Sequence, residues 1–232
     1  MRNQLRRQDF TGSAVGAGMM GVKFDDLLYG LLRPIGWVLT HLICRYRVNG
    51  REHVPLSGPL LIVVNHLSWY DPILLGLVLP RRVWFFAKVE VFHWPIVGWL
   101  CRLTGQIPVH RGEGDRAALE KALAYLREGR ALMVFPEGTV ERQEQMIAPH
   151  TGVAMLALRS GATMLPIAHT GTRRVLRSLR AWFPRVNIQI GEPYVPTPPE
   201  GTARKASLQK VTQDVMERIA AMLPPERRGV YG

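Results

Sequence analysis

Leu60-Leu61-Ile62-Val63-Val64 runs for five residues without a polar side chain. A strand with one face in water alternates polar and apolar residues, so an unbroken run this short reads as a strand covered on both faces. It ends at Asn65-His66, and Asp71-Pro72 then opens a helix. The same grammar recurs along the chain. Residues 44–48, 83–87, 107–111, 131–135, 164–168 and 186–190 read as strands, most of them unbroken apolar runs, with helical patterns between them. Residues 73–79 make a short, wholly apolar helix. Asp115 caps an amphipathic helix that carries Leu119, Ala122, Leu123 and Leu126 on one side and closes at Gly129. Leu208, Val211, Val215, Ile219 and Met222 form the stripe of a closing helix. Strands alternating with helices in this way imply an α/β fold, with a mixed, mainly parallel sheet covered by helices on both faces. No repeat and no linker interrupts the pattern, so the expectation is a single domain.

The N-terminal part is different. Residues 1–22 are basic and then Gly/Ala-rich, and read as a disordered leader, with Met19 or Met20 as a candidate true start. Arg6-Arg7 is not followed by the apolar region of a twin-arginine signal. Gly16-Ala17-Gly18-Met19-Met20-Gly21 matches a dinucleotide fingerprint by letter, but it lacks the preceding strand and the later acidic residue. From Phe24 the apolar residues Leu27, Leu28, Leu31, Leu32, Ile35, Val38, Leu39 and Leu42 follow helical spacing, flanked by Tyr29 and Trp37. Such an amphipathic helix either packs on the body or rests in a bilayer interface. No run reaches the roughly 18–20 apolar residues of a spanning helix, since Arg33 and His41 interrupt 31–44.

A net charge of +12 over 232 residues calls for an anionic partner. No nucleic-acid-binding motif accompanies it, so an anionic membrane surface, a phosphorylated substrate or an acidic carrier protein remains. Cys44 and Cys101 fit neither a disulfide scaffold nor a metal spacing, and suit a reducing compartment. Trp94 and Trp99, near Lys88 and Arg102, suit a headgroup boundary or a core edge.

Ligands of open α/β sheets collect at the carboxyl ends of strands. Three polar clusters end three strands here: His66 to Asp71, His110-Arg111, and Glu137-Gly138-Thr139. A carboxylate folded back onto an imidazole fixes one ring nitrogen as N–H and leaves the other to accept a proton. An alcohol at that nitrogen would attack an acyl group. The same residues have a plainer reading, with Asp71 as a helix N-cap and Pro72 at N1. Arg111 could grip a phosphate, and the Gly-Thr turn offers N–H groups to a phosphate or an oxyanion.

The order and wording of the clusters carry a resemblance. Asn65-His66-x4-Asp71, then Gly105-Gln106-Ile107-Pro108-Val109-His110-Arg111, then Phe135-Pro136-Glu137-Gly138-Thr139, then Leu165-Pro166-Ile167-Ala168 resemble the four motif blocks of the glycerolipid/lysophospholipid acyltransferase family. The likeness is greatest to its bacterial 1-acylglycerol-3-phosphate (lysophosphatidic acid) acyltransferase type and covers about residues 24–195. His-x4-Asp alone is a weak signal; followed by Phe-Pro-Glu-Gly-Thr it is a strong one. The resemblance implies an acyltransferase of phospholipid biosynthesis in which His66 is the general base and Asp71 orients it. Arg111 would bind phosphate, and Glu137, Gly138 and Thr139 would form the acceptor site. The donor would be acyl-CoA or acyl-carrier protein, and the acceptor a lysophospholipid. Neither a metal nor a cofactor is implied, and neither GxSxG nor HExxH occurs.

Two departures bear on the acceptor. Val140 stands where the family usually carries Arg or Ser, and Pro149-His150-Thr151-Gly152 stands where relatives often show Lys-Gly. Both remove expected cations, which leaves another lysophospholipid, or a lipid alcohol or amine, open as acceptor. Outside the motif blocks, Arg173, Arg174, Arg177 and Arg180 interleave with apolar residues and read as a solvated face, an anionic-lipid contact or a carrier-protein contact. The sequence-level expectation is therefore a leader over 1–22, an acyltransferase domain over 23–223 and a tail over 224–232. The enzyme would be peripheral or monotopic on the cytoplasmic face of the cell membrane. The reading from another class is a non-catalytic anionic-lipid-binding protein.

Overall fold

The computed structural model describes residues 18–110, 115–140, 145–177, 183–198, 201 and 203–232. Seven strands form one sheet: β1 (Arg45–Asn49), β2 (Leu60–Val64), β3 (Val83–Lys88), β4 (Ile107–Val109), β5 (Ala131–Val134), β6 (Thr163–Thr170) and β7 (Arg185–Ile190). Their order is β1-β7-β6-β2-β5-β3-β4. All neighbours are parallel except β6 and β7. This is the mixed, mainly parallel sheet expected.

β2 sits at the centre, and its residues divide between two cores. Leu61 and Val63 pack with Ala118, Leu123 and Leu126 of α4 (Arg116–Arg127), Val153 and Ala154 of α5 (Gly152–Ser160) and Val215 and Ile219 of α7 (Arg204–Ala221). Leu60, Ile62 and Val64 face the other way, onto Leu74, Leu75 and Val78 of α2 (Asp71–Val78). The period of two along a strand sends alternate side chains to opposite faces, so an all-apolar β2 satisfies both layers. Asp115 caps α4 by accepting from Ala118 N at 2.9 Å. A further helix, α3 (Pro95–Leu103), follows β3, and α6 (Thr172–Arg177) follows β6.

The N-terminal helix, α1 (Gly18–Ile43), begins inside the stretch expected to be leader, so residues 18–22 belong to it, and residues 1–17 lie outside the described residues. It packs over α2 in an unusual sense. Tyr29 Oη donates to Gly76 O at 2.8 Å, Arg33 donates to Leu79 O, and Thr40 Oγ1 shares a hydrogen bond with Tyr70 Oη at 3.0 Å. Gly36 lies against Leu77, where an added Cβ would come within 2.8 Å of a methyl. The polar residues thus turn inward, while Leu27, Leu31, Ile35, Val38, Leu39 and Leu42 are exposed. No helix among the described residues is long and apolar enough to cross a membrane.

The segment expected as a tail is ordered against the body. Met146 N donates to Arg227 O at 3.1 Å and Val230 N to Met146 O at 3.3 Å. Gly229, at φ 56°, lies so close to the Met146 carbonyl that a Cβ would overlap it.

Candidate active site

β2 and β6 pair in parallel up to Val64 and Ile167. Beyond that point the Asn65 side chain continues the connection. Its Nδ2 donates to His169 O at 3.0 Å, and its Oδ1 accepts from His169 N at 2.9 Å. This two-point clamp holds the turn that carries His66.

The turn closes on Asp71. Its Oδ2 accepts from Leu67 N at 2.7 Å, from Ser68 N at 2.8 Å and from His66 Nδ1 at 3.0 Å. Asp71 is the first residue of α2, with Tyr70 in the capping position, so the plainer N-cap reading does not hold. The carboxylate points back into the turn instead of onto the helix amides. It is wholly buried, and its Oδ1 has no hydrogen-bond partner among the described residues. Burial by itself would raise this carboxyl. The charge of His169, hydrogen bonds from His169 and His66 and the charge of His66 outweigh burial and hold it well below the usual carboxylate range.

His66 is buried, and its ring stacks on Phe135 with centroids 4.1 Å apart and planes 26° apart. With Nδ1–H donated to Asp71, Nε2 is the nitrogen able to accept a proton. The His66 amide donates to Glu137 Oε2 at 2.9 Å. The ends of β2 and β5 therefore meet, as adjacent parallel strands must. Glu137 acts here on the backbone of the His66 turn. Gly138 adopts φ 66°, and a Cβ there would lie 2.9 Å from the His150 ring, so both conformation and space require glycine. His150 N donates to Pro136 O at 2.8 Å, which folds the next loop back over the turn.

His66, Gly138, Thr139, Val140 and His150 share a cavity of about 900 Å³ whose lining is largely apolar, with Phe85, Val97, Cys101, Leu119 and Leu156 among it. That volume is at the upper end of ligand pockets. Trp69 and Trp94 also line it while remaining about half exposed, which puts them at its mouth; their rings meet edge-on at 6.4 Å.

The expected site residues separate into two groups. His66, Asp71, Glu137, Gly138 and Thr139 come together. Arg111 lies outside the described residues, as do Arg142 and Arg180; of the neighbouring basic segment, Arg174 is exposed. His110 is described, and it pairs with Asp115 at 3.1 Å. The sequence reading ended a strand at Ala168 and missed His169. β6 continues to Thr170 and carries that imidazole under the site, with Nε2 2.8 Å from Asn65 O and 3.5 Å from Asp71 Oδ2. The available signal was a lone histidine closing an apolar run.

The chain is similar to a lyso-ornithine lipid O-acyltransferase of Pseudomonas aeruginosa, 40% identical over 111 residues, which are 47% of this chain and 42% of that protein. The match thus spans less than half of that relative's length. It is also similar to a 1-acyl-sn-glycerol-3-phosphate acyltransferase of the same organism, 30% identical over 82% of this chain and 76% of the relative. The crystal structure of the 1-acyl-sn-glycerophosphate acyltransferase of Thermotoga maritima superposes with a TM-score of 0.67 at 26% identity, covering 87% of this chain and 82% of that one. Residues 45–170, just over half of the chain and the whole span from β1 to the end of β6, match the family model described as Acyltransferase. With the His66–Asp71 pair and the Phe135–Thr139 turn inside that span, the chain belongs to the acyltransferase family.

Proposed function

We propose that this protein moves a fatty acyl group from an acyl thioester, acyl-CoA or acyl-carrier protein, to the free hydroxyl of 1-acylglycerol-3-phosphate, giving phosphatidic acid. The observation that carries the reading is the state of His66: Nδ1 is tied to a buried carboxylate, and the ring lines a large apolar-walled cavity. Nε2 takes the proton of the acceptor hydroxyl as its oxygen attacks the thioester carbonyl carbon. A C–O bond forms, the tetrahedral intermediate collapses, the C–S bond breaks, and the leaving thiolate takes the proton from the imidazolium. Asp71 compensates the positive charge that His66 bears in between. The apolar wall of the cavity suits an acyl chain. Glu137 and Gly138 hold the turn beside the reacting groups, Thr139 faces the acceptor, and Arg111 is assigned to its phosphate.

A second acceptor is supported by specific residues. Val140 and His150 line the cavity at places where the resemblance led to the expectation of Arg or Ser and of Lys-Gly, and the 40% identical relative is a lyso-ornithine lipid O-acyltransferase. A zwitterionic lysolipid hydroxyl is therefore the alternative substrate. The reverse amphipathicity of α1, the tryptophans at the cavity mouth and the net charge of +12 support docking on an anionic membrane surface, with α1 lying in its interface.

The test is thiol release by the vesicle-supported protein from palmitoyl-CoA and from palmitoyl-carrier protein. It is run with lysophosphatidic acid, lyso-ornithine lipid and lysophosphatidylcholine, wild type beside His66→Ala. Release with lysophosphatidic acid that vanishes in the variant is the expected result. Release only with lyso-ornithine lipid keeps the mechanism and replaces the acceptor. Full activity of His66→Ala, or silence with every pair, refutes the reading.

A further inference from the structure

We propose that His169 is a positioning residue for this reaction: held as an imidazolium between Asp71, Asn65 and Thr172, it neutralises the buried carboxylate and so keeps His66 unprotonated where the acceptor must be activated. The inference rests on the reading of His66 as the base.

The argument starts from hydrogen-bond chemistry. His169 is fully buried. Its Nε2 faces Asn65 O at 2.8 Å and Asp71 Oδ2 at 3.5 Å, and both of these only accept. Nε2 therefore carries a hydrogen. Nδ1 lies 3.4 Å from Thr172 Oγ1, a hydroxyl that can accept as readily as donate. Both ring nitrogens thus have acceptors to donate to, which the doubly protonated ring requires.

The charge around the ring points the same way. Asp71 receives dipoles from the Leu67 and Ser68 amides, but a buried carboxylate without a cation is costly. His66 could supply that cation only by binding the proton it must keep free to take. His169 supplies it from the far side of the carboxylate and does not line the cavity. Among the described residues, the further ionisable side chains that share a small pocket with His169, behind the site, are Glu137, from the turn after β5, and Arg227, from the C-terminal segment. Tyr231 is close enough for Glu137 to influence it, and its phenol is pushed up to about 12 by burial and by Glu137 and Glu217, so it stays neutral. Burial alone would lower the His169 imidazolium; the Asp71 charge, the hydrogen bonds to Asp71 and Asn65, and Glu137 outweigh it, and the balance is upward.

His169→Gln separates charge from shape. The Gln amide nitrogen reaches the Nε2 position and keeps a donor for Asn65 O, but cannot be ionised. A unit charge on the far side of a shared oxygen acts over about 7 Å, which at an effective dielectric of about 20 displaces a titration by about 1–2 pH units. The acid limb of the kcat/KM–pH profile should move upward by that amount, with kcat on the alkaline plateau within about fivefold of wild type. A loss of kcat at every pH with an unmoved limb would assign His169 a structural role and overturn the proposal. Nitrogen-15 spectra of the wild-type histidines give a second readout that does not depend on the variant folding. Two protonated ring nitrogens on His169 at pH 7 support the proposal, and a neutral pattern overturns it. Turnover surviving in His66→Ala defeats the base reading and this inference with it. A dead His66→Ala beside an unmoved limb in His169→Gln defeats this inference alone.

Discussion

Asp71→Asn removes a charge while leaving the turn its acceptor. The amide oxygen can occupy the place of Oδ2 and accept from Leu67 N, Ser68 N and His66 Nδ1, which now lie at 2.7, 2.8 and 3.0 Å. The NH2 group then falls where Oδ1 makes no hydrogen bond. What is lost is the field at His66 when it holds the acceptor's proton. Unit charges about 4 Å apart at an effective dielectric of about 20 attract by about 4 kcal/mol. Where His169 gives up its proton along with the lost carboxylate charge, relief of its repulsion of His66 returns roughly half of that. The net loss is about 2–4 kcal/mol of transition-state stabilisation, or roughly 30- to 1,000-fold in kcat. Removing a negative charge makes His66 harder to protonate, so the acid limb of the pH profile should move down, opposite in sign to His169→Gln.

The same substitution tests the stability side. Charge-assisted hydrogen bonds from Leu67 N and Ser68 N become neutral ones, a loss of about 1–3 kcal/mol. For a chain of this size that lowers Tm by about 2–12 °C. The Asp71 carboxyl is held below its ordinary value of 3.8 in the folded protein. Its contribution is therefore complete above that pH and lost as the pH falls further, so wild-type and variant Tm should converge in acid. The assay is thiol release across pH 5–9, with circular dichroism melts of both proteins. A folded Asp71→Asn with kcat within threefold of wild type, or with its acid limb moved upward, would refute the base-and-orienter assignment.

Other substitutions probe neighbouring parts. Glu137→Ala leaves the buried His66 amide without its acceptor, at a cost of about 1–3 kcal/mol, and should lower both Tm and kcat; an unchanged melt would remove Glu137 from the turn's support. Val97→Phe intrudes on the apolar wall of the cavity, and competition between donors should shift preference from sixteen-carbon to shorter acyl chains. An unchanged chain-length profile would mean the chain lies elsewhere. Leu31→Ser with Ile35→Ser strips two exposed apolar side chains from α1 and should reduce co-sedimentation with anionic vesicles without changing the melt.

The features that sequence made legible are those written in local pattern. The five-residue apolar run at β2 called for two covering layers, and the structure has them on both faces. The meeting of His66 with Glu137 followed from two strand ends and the rule that ligands gather at carboxyl ends. His169 was illegible because its partner, Asn65, is 104 positions away, and the contact depends on β6 lying beside β2. Unbroken apolar strands carry no label for their neighbours, so their order in the sheet comes from the packing of the whole chain. The face of α1 was hidden for a related reason. Its stripe was clear, but a stripe does not say which side meets the body. Tyr29, Arg33 and Thr40 settle that by finding acceptors or partners on α2 and its flanks.

The chain contains its own control for how much spacing decides. His110 and Asp115 repeat the His-x4-Asp interval, and they too form a pair, with Nδ1 and Oδ2 3.1 Å apart and His110 N donating to the same oxygen at 3.0 Å. The interval thus recurs with the same pairing of imidazole and carboxylate. Yet the His110 side chain is 70% exposed against 8% for His66, and Asp115 spends its other oxygen capping α4. Its carboxyl is held down to about 2 chiefly by the Ala118 and His110 amides, as a cap should be. Asp71 is held down, against burial, chiefly by two imidazoles. The difference is position in the sheet. β4 is an edge strand that leaves His110 exposed at its end, whereas β2 has β5 and β6 on either side, and these bring Phe135, Glu137 and His169 around its turn. Burial among those neighbours turns a common turn motif into a charge store beside a proton acceptor, and it is supplied by strand order rather than by the motif.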